Sequence, residues 1–340
     1  NDRFGIFGLA AAFLLGWAMQ AAIQIPPLRK KGYHYRPSLR FYDGSLKKVG
    51  ALMLPVMVST WVQPINIAVN TKYGSRLFDG AGSSAINYAN NLYSIIVGVF
   101  VLSVANVIFP KLSRLSANDN KEEFGRTMNQ TVKTLSFLLI PMTIGLMALS
   151  EPLVRLFYER NEFTAFSTMI TSRALFFFSL GMFGFGVQTI LSRGIYAVQD
   201  GRTPMISGGV SIIANILLCQ VLWEPLNVAG LALASAASQT ISAALLVIPM
   251  EKRGGGFFTK PFLIGLLKML CAALVMGIVV VWLRDLLIVR LADSIITRVL
   301  VLAVPACIGV LIYMGISRVL VVEEATIVFD TIKKFTRREK

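Results

Sequence analysis

The sequence predicts an all-α integral membrane protein, a polytopic bundle of about nine transmembrane helices, and three observations carry that reading. Hydrophobic residues make up 55% of the 340 positions while charged residues make up only 15%, well below the quarter usual in soluble domains. Apolar runs long enough to cross a bilayer follow one another along the whole chain. All 18 acidic residues fall between those runs or at the chain ends.

A spanning helix needs roughly 20 mainly apolar residues. Such segments lie near 4–28, 46–72, 86–109, 127–149, 165–192, 204–223, 228–249, 261–283 and 295–317. Pro55, Pro64 and Pro141 fall inside them and predict kinks, because proline removes a backbone donor. Orientation follows from the loops. Basic residues cluster after the first span (Arg29 to Lys48), the third (Lys111 to Arg126), the fifth (Arg193, Arg202) and the seventh (Lys252, Arg253, Lys260). They return in the tail at Arg318 and from Lys333 to Lys340. These loops and the C-terminus are therefore expected in the cytoplasm. An odd number of spans then puts Asn1 outside, which leads us to expect further helices before it. Ile327, Val328 and Ile332 among mixed charges suggest a short surface helix in the tail.

The formal charge of +15 sits in short loops and forms no continuous basic face, which argues against a nucleic-acid partner. Cys219, Cys271 and Cys307 stand singly in apolar segments, and the one histidine, His34, lies in a basic loop. No metal-type spacing or cofactor motif is present, so the expectation is no cofactor and no metal. Carboxylates missing from the spans weigh against a proton relay and against acid–base catalysis at depth. The sequence reads as a non-enzyme. Basic residues do enter the spans: Lys133 and Lys268 near cytoplasmic ends, where long side chains can snorkel, and Arg173 from the outside. Arg173 could snorkel too, or offer a fixed cation to an anionic substrate.

The third span opens with three carboxamides. At about 100° per residue, Asn87, Asn91, Ser94, Gly98 and Ala105 fall on one face, with Asn90 beside them. A carboxamide facing lipid would be left unsatisfied, so this stripe faces protein or water. It is either glue between helices or the wall of a hydrated cavity. Gln63, Asn66 and Asn70 recur at helical spacing in the second span, and Gln188, Asn215 and Gln239 lie in later ones. Polar faces in several helices, without acids and with a few cations, favour a transporter for a large polar or anionic solute over a scaffold.

The stretch LFYERNEFTAFSTMITSRALFFFSLGMFGFGVQTILSRGIYAVQDGRTPMISG, residues 156–208, resembles the MurJ (MviN) family of lipid II flippases. The resemblance is carried by a phenylalanine-rich turn before a long helix and by a signature loop standing here as Arg193, Tyr196, Asp200, Thr203 and Pro204. NYANNLYSIIVGVFVLSVANVIFPKLSRL, residues 87–115, looks like the same family's eighth helix and following loop. The resemblance implies an exporter fold of about 14 helices in two lobes, of which this chain supplies the sixth onward. On that reading residues 1–45 are the last N-lobe helix and a linker, and 46–255 the C-lobe transport bundle. Residues 256–320 are a helix pair forming a lipid-tail groove, and 321–340 a cytoplasmic tail. It also implies a bacterial inner-membrane flippase that carries a lipid-linked peptidoglycan precursor across by alternating access, with membrane lipids and the N-lobe helices as its partners.

Two departures stand out. Relatives commonly place an arginine where this chain has Asn91, and some use a carboxylate near Asn70 for sodium. Here the corresponding positions hold Asn70, and Cys219 one turn after Asn215. The alternatives left open are another polyprenyl-linked oligosaccharide as cargo, a membrane-potential driver in place of sodium, or a scaffold that does not transport.

Overall fold

The computed structural model describes residues 5–32, 53, 57, 60–254, 256–290, 292 and 294–326; His34, Pro55 and the tail residues Ile327, Val328 and Ile332 lie outside them. Two compact units are distinguished, Asn1–Ala51 and Leu52–Lys340. The first contains α1 (Gly5–Lys30), an apolar helix with Arg29 and Lys30 in its last turn.

The second unit is helical throughout its described residues. In order it contains α2 (Val62–Gly74), α3 (Ala81–Val97), α4 (Ser103–Ala117), α5 (Lys121–Ala148) and α6 (Ser150–Tyr158). These are followed by α7 (Ala165–Leu180), α8 (Met182–Ala197), α9 (Arg202–Glu251), α10 (Lys260–Arg290) and α11 (Ile295–Val319). Helix starts are written in the sequence. Asn120 accepts from the Glu123 amide at 3.1 Å and donates to the Glu123 carboxylate. Thr164 and Ser294 accept likewise from the amides of Ser167 and Thr297.

Among the described residues, six helices are long and apolar enough to cross a membrane, and the bent pair α7–α8 makes a seventh. That count differs from about nine for two reasons. The segment near 46–72 lies partly outside the described residues, leaving α2 with 13 residues. The segments 204–223 and 228–249 form one continuous run, α9, broken at Asn227 (φ 52°, ψ −133°). The breaks also fall away from the prolines marked for kinks. Pro64 occupies the first turn of α2, where no donor is missed, and α5 runs on through Pro141. The chain bends instead by 44° at Gly181 and breaks at Asn227, and a π turn spans Gly98–Leu102.

At Asn227 α9 folds back on itself. Ser207 Oγ lies 2.7 Å from Ser242 Oγ, Ser211 donates to the Ser238 carbonyl at 3.1 Å, and Asn215 donates to Ser235 Oγ at 3.3 Å. All six residues are buried. Without a hydrophobic force between helices in lipid, such small residues and hydrogen bonds are what hold limbs together. The same device joins α8 to the second limb. A Cβ on Gly181 would lie 2.6 Å from Ala236 Cα, and one on Gly184 2.6 Å from Thr240 Oγ1, so only glycine permits the approach.

Helix α5 buries Met128, Leu135 and Leu139 in the core it shares with α4, α7 and α8. Its other face, with Phe137 and Ile140, shares a second core with α10 and α11. There Tyr313 Oη donates to the Phe137 carbonyl at 3.0 Å.

Candidate functional site

The site grows from α8. Gln188, Thr189, Ser192, Arg193 and Tyr196 recur at helical spacing and line one wall of a cavity of about 650 Å³. Gln63 of α2, Phe109 of α4 and Gln239 of the second limb of α9 complete it, with Gln199 and Gly201 at its rim. The lining carries carboxamides, hydroxyls and one cation. Arg193 stacks over the Phe109 ring at 5.8 Å, which holds the guanidinium in place. A cavity of this size, with sparse polar groups on an aromatic and aliphatic wall, suits one large ligand.

A smaller space of about 30 Å³ lies deeper and is lined by Gln63, Asn66, Asn70, Asn90, Ser235 and Gln239. Asn66 is buried there, and neither its Nδ2 nor its Oδ1 is hydrogen-bonded among the described residues. Asn70 donates to Ser235 Oγ at 2.6 Å and accepts from Cys219 Sγ at 3.1 Å. Asn215 joins the same hydroxyl. A sodium ion needs several free oxygen ligands, carboxylates foremost. Around Asn70 the cluster offers carboxamides and a hydroxyl already engaged with one another and a thiol where oxygen is needed, leaving the Asn66 carboxamide unengaged beside them. The donor set does not fit the ion.

Of the residues singled out from sequence, the structure thus brings Gln63 and Gln188 to the large cavity and Asn66, Asn70 and Asn90 to the small one. Asn87 and Asn91 lie on the exposed side of α3, where Asn87 Nδ2 bonds the Ser83 carbonyl of its own helix; Ser94 is half-buried. Arg173 lines a separate cavity, at the α6–α7 end of the bundle. Thr189, Ser192 and Gln239 complete the lining. The α8 stripe was the available signal, since Gln188 and Ser192 are one helical turn apart.

The signature loop serves as a latch at the cavity rim. Asp200 accepts from the amides of Arg202 and Thr203, both at 3.1 Å, and from Thr203 Oγ1 at 2.7 Å, so it caps the start of α9. Its other partner is Arg253 beyond the far end of α9, at 3.0 Å. Burial acts to raise the Asp200 carboxyl, but the Thr203 hydroxyl and amide together with the Arg253 guanidinium outweigh it and hold it below the usual carboxylate value. Pro204 is buried in the first turn, where it suits a helix start. In the sequence Arg253 counts only among the basic residues that set orientation, because an arginine in a glycine-rich loop carries no spacing signal for its partner.

The profile of the family described as "Lipid II flippase MurJ" matches residues 1–313. The chain belongs to the MurJ lipid II flippase family. A probable lipid II flippase MurJ of Vibrio cholerae is 30% identical over 309 residues, covering 91% of this chain and 59% of the relative. Another, of Rhizobium meliloti, is 31% identical over 274 residues, covering 80% of this chain and 50% of the relative. A solved lipid II flippase MurJ in an inward closed conformation superposes with a TM-score of 0.73 at 27% identity, covering 93% of this chain and 62% of that one. The chain thus spans between half and three-fifths of the length of these relatives. Membership of the MurJ family makes it a multi-pass membrane protein.

Proposed function

We propose that the protein carries lipid II, a polyprenyl-pyrophosphate-linked sugar–peptide, from the inner to the outer leaflet of the bacterial cytoplasmic membrane by alternating access. No bond is made or broken, so it is a transporter rather than an enzyme. The observation that carries the reading is the amide-lined cavity between α2, α4, α8 and α9 with Arg193 in its wall. Gln63, Gln188 and Gln239 suit sugar hydroxyls and peptide amides. Arg193, fixed on Phe109, suits one phosphate through its planar fork. In this reading Asn87, Asn91 and Ser94 continue the headgroup path toward the N-lobe helices of the family fold. The lipid tail lies along α10 and α11, whose Leu263, Leu267, Ile278, Val310 and Leu311 are exposed. The C-terminal tail is cytoplasmic, as the basic loops direct.

The test is complementation: the gene, expressed in cells depleted of their own lipid II flippase, restores lipid II exposure on the outer leaflet. Absence of restoration, with the protein folded in the membrane, refutes lipid II as cargo. A second reading, another polyprenyl-linked oligosaccharide, is favoured by Asn91, which withholds a cation from α3. Purified lipid II failing to compete for the cavity against such a lipid would select it.

A further inference from the structure

At the α6–α7 end of the bundle a second cavity of about 650 Å³ opens between α6, α7 and α10, sharing no lining residue with the amide-lined site. Three arginines line it, and they are not equivalent. Arg155 is engaged with Glu159 at 3.0 Å, an acid that also takes Arg298 and the Thr168 hydroxyl. Arg284 donates to the Ala148 carbonyl at 2.6 Å and pairs with Asp285 at 2.7 Å. Arg173 is exposed, and no described residue offers it a hydrogen bond or an ion pair.

Its place on α7 makes that unusual. Arg173 sits eight residues beyond Ala165, about 12 Å along the helix, and shares its face with Met169, Phe176 and Leu180, all exposed. An arginine on an exposed apolar stripe of a membrane protein's helix is costly. A counter-charge beside it removes much of the penalty, and no described residue gives Arg173 one: Glu159 is shared by Arg155 and Arg298, and Glu151, which also lines the cavity, makes no ion pair with it. Three arginines against these two glutamates leave one positive charge. A phosphodiester carries one negative charge, and a phospholipid brings with it the acyl chains that an apolar stripe accepts.

We propose that this cavity binds a membrane phospholipid, its phosphodiester on Arg173 and its chains against Met169 and Phe176. The site stands whichever cargo the large cavity takes. A guanidinium holds a phosphate oxygen pair in a planar fork, and Arg155 and Arg284 keep the walls positive without leaving their own partners.

The experiment uses the protein purified in a neutral detergent and a phosphate-free buffer. Dioleoylphosphatidylglycerol, dioleoylglycerol (the same chains without phosphate) and inorganic phosphate are added separately. Thermal unfolding and the lipids retained in native mass spectrometry are followed. We expect the phosphatidylglycerol alone to raise the midpoint and to be retained as one tightly held copy. Arg173→Gln, which disturbs no internal contact, lowers that affinity at least tenfold, and Arg173→Lys lowers it less. Equal response to dioleoylglycerol overturns phosphate recognition. A full response to inorganic phosphate overturns the lipid. Unchanged binding in Arg173→Gln overturns the assignment to Arg173, and if that variant does not fold, the comparison of the two lipids on the parent protein still decides.

Discussion

Replacing Asp200 by alanine removes both tasks of one carboxylate, and their sizes can be worked out separately. The cap on the first amides of α9 is worth about 1 kcal/mol, the usual loss for an N-terminal cap. The bridge to Arg253 joins side chains 23% and 34% exposed, so solvent screening holds it to at most ~1 kcal/mol. Asp200→Ala should therefore cost about 2 kcal/mol. Asp200→Asn keeps an acceptor for both amides but loses the charge and turns the oxygen that accepts from Thr203 Oγ1 and Arg253 into a donor, so it should cost about half that, nearly all of it from the bridge. Arg253→Gln should resemble it, and the double variant should show a coupling of about 0.5–1 kcal/mol. Equilibrium unfolding in micelles measures all four. The pH dependence has a definite sign. Because the folded-state pKa of Asp200 is lowered, its contribution is complete above the unfolded value of about 3.9 and is lost as pH falls through the lower folded value. Asp200→Asn should remove that acid loss. Equal destabilisation by Asn and Ala, or a coupling indistinguishable from zero, would refute the division into cap and bridge.

Three other outcomes are expected. Gly125→Val should lose about 1–3 kcal/mol in the same assay, since a side chain there runs into the Gly254 carbonyl, whereas Gly145→Ala, where only the Met276 methyl lies near at 3.9 Å, should be close to neutral. Asn70→Leu should cost about 1–3 kcal/mol by stranding the Cys219 thiol and the Ser235 hydroxyl, while exchanging sodium for choline should leave the parent protein's unfolding midpoint unchanged. In a background lacking Cys271 and Cys307, Ser192→Cys and Gln239→Cys should react with a water-soluble maleimide, and Ser211→Cys, fully buried, should not.

Helix content and the spacing of the spans were legible because a bilayer imposes a length and a composition on every element that crosses it. Turn geometry was not. Asn227 lies between two apolar runs with Pro225 close by, yet nothing local says that the limbs fold tightly enough to form one continuous element. The prolines drew attention to kinks, yet the bend occurs at Gly181, where the backbone packs closely against Ala236. The polar lining shows the same division. Spacing says that Asn87 and Asn91 share a face of α3, but not what that face meets, and Asn90, off to one side, is the residue that reaches the inner cavity. The pairing of Arg253 was not legible, because its partner is a carboxylate 53 positions away.

The paired polar side chains along the two limbs of α9 have a mechanical consequence. Their partners repeat about one turn apart, so a slide of one limb by half a turn, about 2.7 Å, would break every pair at once, and a slide by a whole turn would leave a polar residue at each end without its partner. The limbs therefore cannot slide as gears do. They must travel together as a single lever, with Asn70 on α2 bolted to it through Ser235 and Cys219. In the proposed alternating-access cycle, whatever opens the large cavity has its pivot at the ends of that lever or at the Gly181 bend, and not along its length.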